Sequence, residues 1–385
     1  MNLLELTSEK INDNEAVVYA KGYIDTETSE SFSDYINRLH SLNKDIKINI
    51  DFSDVKMITS ACVRCLLQFH KSGYNYELKG INKEIFTVLK ITGVSAILNI
   101  KQETFSINTE GCKVLGRGFH SEVYRLDEET IAKIYFEKNE IDNAINERII
   151  SKQAFIKGVP TEISFALCES NGRPGLIYEL VDANTLLSIF AEDESTMQKY
   201  IADYVNLVKS VHTFDNVGMT GIYDKKKGFI NEANFISKYI PKECYERIIR
   251  LKDEIPDSNR LVHGDPHPAN VMLTDKGMIF IDLSDMGFGD EKFDLMFLYR
   301  TLKLFPMLPN NKYALKEKEA AKLWGLFIKE YYKDEDESYI ESQLIDIKLL
   351  ALNSIINRFC LKNPRSNEAI IMINNLIETV RNEKQ

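Results

Sequence analysis

Cysteine, basic charge and long apolar runs are all in short supply in this 385-residue chain, and each shortage excludes something. Six cysteines are too sparse to staple so long a chain. No disulfide framework is expected, and a reducing cytoplasm is the simplest setting. No stretch of 18 or more apolar residues occurs, so no membrane span is expected. The opening MNLLELTSEK lacks a basic region followed by an apolar stretch and a small-residue cleavage site, so secretion is not expected either. Lysine and arginine total 48 against 58 acidic residues, a net charge of −10. Nonspecific nucleic-acid binding needs a basic footprint and is excluded on that ground. An anionic nucleotide remains compatible with this charge, because backbone amides, one lysine and metal ions are enough to hold it.

What is present is an ordinary soluble composition, 44% apolar and 28% charged, in a chain long enough for two cores. The first hundred residues alternate strand and helix signals. Strands are predicted around Val17 and Val18 and from Ile46 to Phe52. Between them Phe32, Tyr35, Ile36, Leu39 and Leu42 recur at helical spacing. A helix is predicted from Thr59 to His70, a short strand from Tyr76 to Lys79, and another helix from Asn82 to about Leu89, ending near Gly93. Such alternation predicts a small α/β layer domain. The segment after Ile100, KQETFSINTEG, is polar and aperiodic, and the domain boundary is placed there.

Closely spaced strands follow, at Lys113–Leu115, Glu122–Arg125 and Thr130–Tyr135. A helix is predicted from about Asp142 to Lys157, then strands near Ile163–Cys168 and Leu176–Tyr178 joined through Asn171-Gly172. Beyond Asp182 the patterns are helical, except for a hairpin of Val271–Leu273 and Met278–Ile281 around Asp275-Lys276-Gly277. The expectation is a sheet-rich small lobe, about 110–180, and a helical lobe, about 183–385. The chemistry-bearing residues would lie where the two lobes meet.

Those residues concentrate in LVHGDPHPANVML, 261–273, and IFIDLSD, 279–285. Phosphoryl transfer needs a group to orient the acceptor hydroxyl and hard oxygen ligands for divalent ions. Asp265 and Asn270 sit on a short loop leading into a strand, and Asp282 ends the return strand of the same hairpin. That spacing predicts three oxygen-bearing side chains close together. Lys133 is a lone cation on the apolar strand Ile131–Tyr135, costly to bury without an anionic partner.

His263-Gly264-Asp265-x-His267-x-x-Asn270 resembles the catalytic loop of aminoglycoside phosphotransferases, choline kinases and their relatives. Ile281-Asp282 resembles the family's metal-binding aspartate. The resemblance implies Asp265 as catalytic base and Asn270 and Asp282 as magnesium ligands. Gly287 to Asp290 and Asp294 continue the pattern, as a small-residue turn and a structural aspartate. Upstream, Leu115-Gly116-Arg117-Gly118 leading into Ser121–Arg125 resembles the family's nucleotide-covering loop. Lys133 then becomes the phosphate-binding lysine, Glu147 its ion-pair partner with Glu140 as second choice, and Tyr178-Glu179-Leu180-Val181 the lobe connection whose backbone meets adenine. His267 and His212 match family positions and read as structural.

In the first hundred residues, Gly22–Asp25, Ile48–Ser53 and Ile58–Ala61 resemble a STAS domain of the anti-sigma-factor-antagonist type. That family ends a strand in an Asp-Ser-Ser-Gly-like run whose serine is phosphorylated at a helix N-terminus. Here Thr59 stands for the aspartate, Ala61 for the phosphoacceptor and Cys62 for the glycine. Ser60 reads as the helix cap. A regulatory or partner-docking role is the expectation, with a protein as the partner. Cys62 and Cys65 form a CxxC without a second pair and read as buried or half-buried free thiols. Lys225 to Lys227 reads as a solvated loop.

The expected architecture is an α/β N-terminal STAS-like domain, 1–104, plus an α+β bilobal protein-kinase-like (APH-like) domain, 110–385. The expected function is an ATP- and Mg2+-dependent phosphotransferase acting on a hydroxyl of a small molecule or protein. The alternative is a catalytically silent pseudokinase or scaffold.

Overall fold

Burial alternates along Glu15–Ile24 (β2), as it must for a strand with one face on a core. The structure, a computed structural model, describes residues 3–81, 85, 86, 88, 89, 94, 98, 100, 104–118, 120–162, 164–181, 183–308 and 314–383. β2 lies second in a sheet ordered β1, β2, β3, β4, with β1 at Leu4–Asn12, β3 at Lys47–Ile58 and β4 at Tyr76–Lys79. β1 is antiparallel to β2, and the other two pairings are parallel. Parallel neighbours need a crossover, supplied by α1 (Ser29–Leu42) and α2 (Ser60–Lys71). Phe32 of α1 is the centre of this core, with ring centroids 6.0 Å from Phe52 and 6.1 Å from Phe69.

Three details differ from the sequence reading. β1 was not expected, because only Leu4 and Leu6 of its nine residues are half-buried and the alternation is faint. Leu42, in register with the apolar stripe, is 84% exposed as the last residue of its helix. Thr59 rather than Ser60 caps α2, its hydroxyl accepting from Ala61 N–H at 3.4 Å, while Ser60 is an exposed first helical residue. The helix expected from Asn82 to about Leu89 falls partly outside the described residues, as does its end at Gly93. Ile85, Phe86, Val88 and Leu89 are helical, and Ile85 and Leu89 enter the same core.

The chain groups into two compact units, Met1–Arg148 with Ile163–Leu180, and Ile149–Glu162 with Val181–Gln385. The first unit also contains a six-stranded sheet ordered β5, β9, β10, β8, β7, β6. Its strands are Thr104–Ser106 (β5), Val114–Arg117 (β6), Ser121–Arg125 (β7), Thr130–Tyr135 (β8), Ala166–Ser170 (β9) and Arg173–Glu179 (β10). Asn171 and Gly172, at φ 53° and 76°, make the two-residue turn of the β9–β10 hairpin. β5 lies in the stretch read only as a polar boundary. It pairs in parallel with β9 as an edge strand, where three residues leave no periodic signature. In the same unit the ring of Phe86 meets that of Phe165 edge-on at 6.2 Å. Helix α3 (Ile141–Lys157) follows β8.

The second unit is mainly helical: α4 (Leu186–Glu192), α5 (Thr196–Val211), α6 (Lys225–Ile236), α7 (Lys242–Glu254), α8 (Lys292–Tyr299), α9 (Glu317–Tyr331), α10 (Glu337–Lys362) and α11 (Asn367–Asn382). α8 continues into a π-helical turn at Arg300–Leu304. Two small sheets interrupt the helices. One joins Asn184–Thr185 (β11) to the hairpin of Val271–Thr274 (β14) and Gly277–Phe280 (β15). The other joins Tyr223–Asp224 (β12), Leu261–Val262 (β13) and Gly287–Phe288 (β16). No helix among the described residues is long and apolar enough to cross a membrane.

Candidate active site

Lys133 lies on β8 and Glu147 on α3, both in the first unit, and they meet. Lys133 Nζ donates to both carboxylate oxygens of Glu147 at 2.9 Å. Lys133 is 8% exposed and Glu147 1%. A buried pair of this kind is tolerated only when the remaining lone pairs are satisfied. Here the hydroxyl of Tyr178 donates to Glu147 at 2.6 Å and that of Tyr135 donates to its other oxygen. Glu140, the second choice for this partnership, instead lies 3.7 Å from His120. Gly116 and Gly118 flank the β6–β7 turn, where Gly118 N–H donates to Ser121 O at 2.9 Å. A Cβ at Gly116 would meet nothing within 4 Å, and at Gly118 only Ser121, from 3.7 Å. The protein's own packing does not demand glycine there. Backbone that a ligand must approach closely does. Glu179 is the exposed last residue of β10, and Leu180 N–H is spent on Glu129 O at 2.7 Å. Val181, in the second unit, accepts from Ala183 N–H through its carbonyl.

In the second unit the β14–β15 hairpin brings Asn270 and Asp282 together, since Ile281 N–H donates to Asn270 O at 2.9 Å. Asn270 Nδ2 donates to Asp265 O at 3.0 Å, which ties the base candidate to the same corner and leaves the amide oxygen as the group to face a cation. His267 Nδ1 accepts from Ala269 N–H and caps the one-turn helix Pro268–Asn270. Asp282 has φ 59°, a left-handed conformation that costs an aspartate ~1 kcal/mol or more. Ser284 Oγ donates to its Oδ1 at 2.7 Å.

Asp294 holds the loop from beneath. Its carboxylate accepts from His263 N–H at 3.0 Å, Gly264 N–H at 2.6 Å and His212 Nε2 at 2.9 Å, and Tyr331 contacts the other His212 nitrogen at 3.3 Å. Burial alone would raise its pKa, but the His212 hydrogen bond and neighbouring charge hold it below the ordinary carboxylate value. Burial pushes the His263 imidazole down to about 4, against the pull of Asp294. Its Nδ1 accepts from Asp265 N–H at 3.3 Å. Gly264, at φ 85°, sits where a Cβ would collide with the carbonyl of Asp285. Burial also pushes the Asp265 carboxyl upward, opposed by His267, whose Nε2 is 3.6 Å away, and by Arg300.

Lys225 corrects the reading of 225–227 as a solvated loop. It opens α6, is buried, and donates to Asp285 O at 2.5 Å and Tyr223 OH at 2.8 Å. Asp224 is the cap, accepting from Lys227 N–H. The Asp-x-x-Lys pattern there was the available signal. The tyrosines on Glu147 were legible only as apolar strand residues, because their partner lies on another element. Cys62 is buried and Cys65 half-buried, and burial raises both thiols.

The donor set suits magnesium and a triphosphate, since two side-chain oxygens from the protein are enough when phosphates supply others. Among the described residues no cluster of three or more His, Cys, Asp or Glu forms a self-sufficient metal cage.

Residues 111–314 match the sequence profile of the phosphotransferase enzyme family, and residues 7–106 match that of the STAS domain. No protein of curated function matches the chain in sequence. Among solved structures, a thermostable mutant of aminoglycoside phosphotransferase APH(4)-Ia in its apo form is 12% identical with a TM-score of 0.52. It covers 71% of this chain and 94% of its own. Another structure of aminoglycoside phosphotransferase APH(4)-Ia is 13% identical with a TM-score of 0.50, covering 70% and 93%. At such identity the likeness is one of fold: a STAS-like α/β region followed by a bilobal kinase-like α+β domain.

Proposed function

The chain belongs to the phosphotransferase enzyme family, and on that premise we propose that it moves the γ-phosphoryl group of ATP to a hydroxyl of an acceptor. Asp265 orients that hydroxyl and takes its proton as the new O–P bond forms and the bond to ADP breaks. Magnesium, when held by Asn270 and Asp282, neutralises charge on the phosphates. Lys133, kept in place by Glu147, binds phosphate oxygens. Gly116 and Gly118 give the covering loop close approach, and the backbone around Glu179 and Val181 is the proposed purine contact. Residues 1–104 form the proposed regulatory or docking domain for a protein partner, and 110–385 the catalytic one.

Asp282 carries this reading. A non-glycine residue held left-handed, beside a loop that supplies Asn270 and Asp265, is strain kept at the place where a metal ligand is expected. Thermal unfolding with and without Mg-ATP, on wild type and Asp282→Asn, tests it. Asparagine tolerates the left-handed conformation but removes the charge. Ligand at ~100 times its dissociation constant stabilises by ~2.7 kcal/mol, and the shift should vanish in the variant. No shift with wild type at saturating ATP or GTP would leave the scaffold reading, with the STAS-like domain as the place to seek a partner.

A further inference from the structure

Lys225 is a buried cation that the chemistry above does not use, and it lies between the two loops that carry that chemistry. It follows β12 directly and is the first residue of α6. β12 pairs with β16, which follows the Asp282–Asp285 turn, and β16 pairs with β13, which leads into the Asp265 loop. Each of these strands is two residues long, too short to hold its neighbours firmly by backbone bonds alone. Beside this small sheet the lysine side chain runs through a slot made by three glycines. A Cβ at Gly287 would lie 2.8 Å from its Cε, one at Gly289 3.3 Å from its Cβ, and one at Gly264 2.5 Å from its Nζ. That same position at Gly264 collides with the Asp285 carbonyl, to which Nζ donates at 2.5 Å. The ammonium, the turn before Asp265 and the turn after Asp282 therefore meet at one point.

Local structure does not call for a cation there. A positive charge in the first turn of a helix opposes the helix dipole. An ammonium is also costly to bury, and an unbranched apolar side chain would fill the slot without that cost. Among the described residues Nζ makes no ion pair. Its partners are the Asp285 carbonyl and the Tyr223 hydroxyl, and Glu232, two turns along the same helix, feels its charge only from beyond ion-pairing distance. A charged donor makes a stronger bond to a carbonyl than a neutral one does, and the bond lasts only while Asp285 stays in place. Asp282 lies three residues before that carbonyl, in a left-handed conformation that persists only where the surroundings over-determine it.

We propose that Lys225 is the positioning residue of the metal loop: by pinning the Asp285 carbonyl against Gly264 it fixes Asp282 relative to Asp265. This role rests on the phosphotransferase reading and adds to it a residue that acts through the loop rather than on the nucleotide. Its loss should weaken the hold on magnesium and leave metal-free nucleotide binding nearly untouched.

The test measures, by calorimetry on the full chain, binding of a non-hydrolysable ATP analogue in excess Mg2+ and again in a chelator. Lys225→Met keeps the stem and loses the ammonium. Its dissociation constant in Mg2+ should rise about tenfold, the lower end of what losing a group that supports a metal ligand costs, while the value in chelator stays near that of wild type. Lys225→Gln keeps a neutral donor on a shorter stem and should show a smaller rise, again confined to Mg2+. The melting temperature of the unliganded variants is the folding control, and Lys225→Gln carries the test alone if Lys225→Met does not fold.

An unchanged dissociation constant in Mg2+ would overturn the proposal. So would equal weakening in both conditions, since that is what a general loss of packing produces. Failure of the wild type to bind the analogue in Mg2+ would instead remove the phosphotransferase reading, and this role with it.

Discussion

Lys133 and Arg300 are cations buried to almost the same degree, one in each compact unit, yet their surroundings are opposite. Lys133 meets a carboxylate bidentately, and that carboxylate is further held by two tyrosine hydroxyls. Arg300 has one hydroxyl, the rings of Phe297 and Phe305 at 3.7 and 5.8 Å, and an Nε without a hydrogen-bond partner. The first is matched by direct contact. The second is balanced only at longer range, by Asp265, Glu232 and Asp285. Equal burial thus carries different information depending on whether the desolvated charge has been matched.

Substitution by methionine would break the comparison most visibly. Lys133→Met strands Glu147, 1% exposed, as an uncompensated charge, and should cost about 3–5 kcal/mol in the urea transition of the first unit. Arg300→Met removes a countercharge from Asp265 and Glu232 that is not in ion-pair contact with either, so the loss in the second unit's transition should be smaller. Equal losses in both variants would show that Arg300 is as well matched as Lys133.

Asp265→Asn should lower turnover by a factor of about 10²–10⁴, measured as ADP release with acceptor present. The same variant should leave stability unchanged or slightly improved, because burial already disfavours the charged carboxyl. A large loss of stability would recast Asp265 as structural.

His263 extends the comparison to pH. Unfolded, it takes a proton as pH falls through its ordinary value of 6.5; folded, burial delays this to about 4. Its contribution is intact above 6.5 and is lost progressively down to about 4, by ~3 kcal/mol at ~1.4 kcal/mol per pH unit. Asp294 has a depressed folded value, so its contribution persists above the ordinary carboxylate value and falls away only at lower pH. Urea midpoints at pH 7, 5.5 and 4.5 should therefore fall in wild type and flatten in His263→Gln.

The smallest effect concerns the α2 cap. Thr59→Ala should cost ~1 kcal/mol in the first unit, and Ser60→Ala almost nothing. The reverse order would restore Ser60 as the cap.

Much of this was legible residue by residue. The strand Thr130–Tyr135, the hairpin around Asp275-Lys276 and the Asn171-Gly172 turn follow from alternation and turn chemistry, which act over a few residues. The choice of Glu147 over Glu140 followed from its place on the predicted helix. β1 and β5 were missed because an edge strand needs a partner more than it needs a pattern. Lys225 was misread because three consecutive lysines look solvated until Asp285 and Tyr223, distant in sequence, close around the first of them.

The identity and spacing of the candidate catalytic groups can be read along the chain. Asp265, Asn270 and Asp282 share one short loop and hairpin, whose geometry local turn preferences impose. The tertiary structure set which charges are matched: two tyrosines from separate strands converge on Glu147, whereas Arg300 is buried with Ser354 as a hydrogen-bond partner and, among the described residues, no carboxylate in ion-pair contact. Desolvation and pairing are set by neighbours far along the chain, and no local pattern records them.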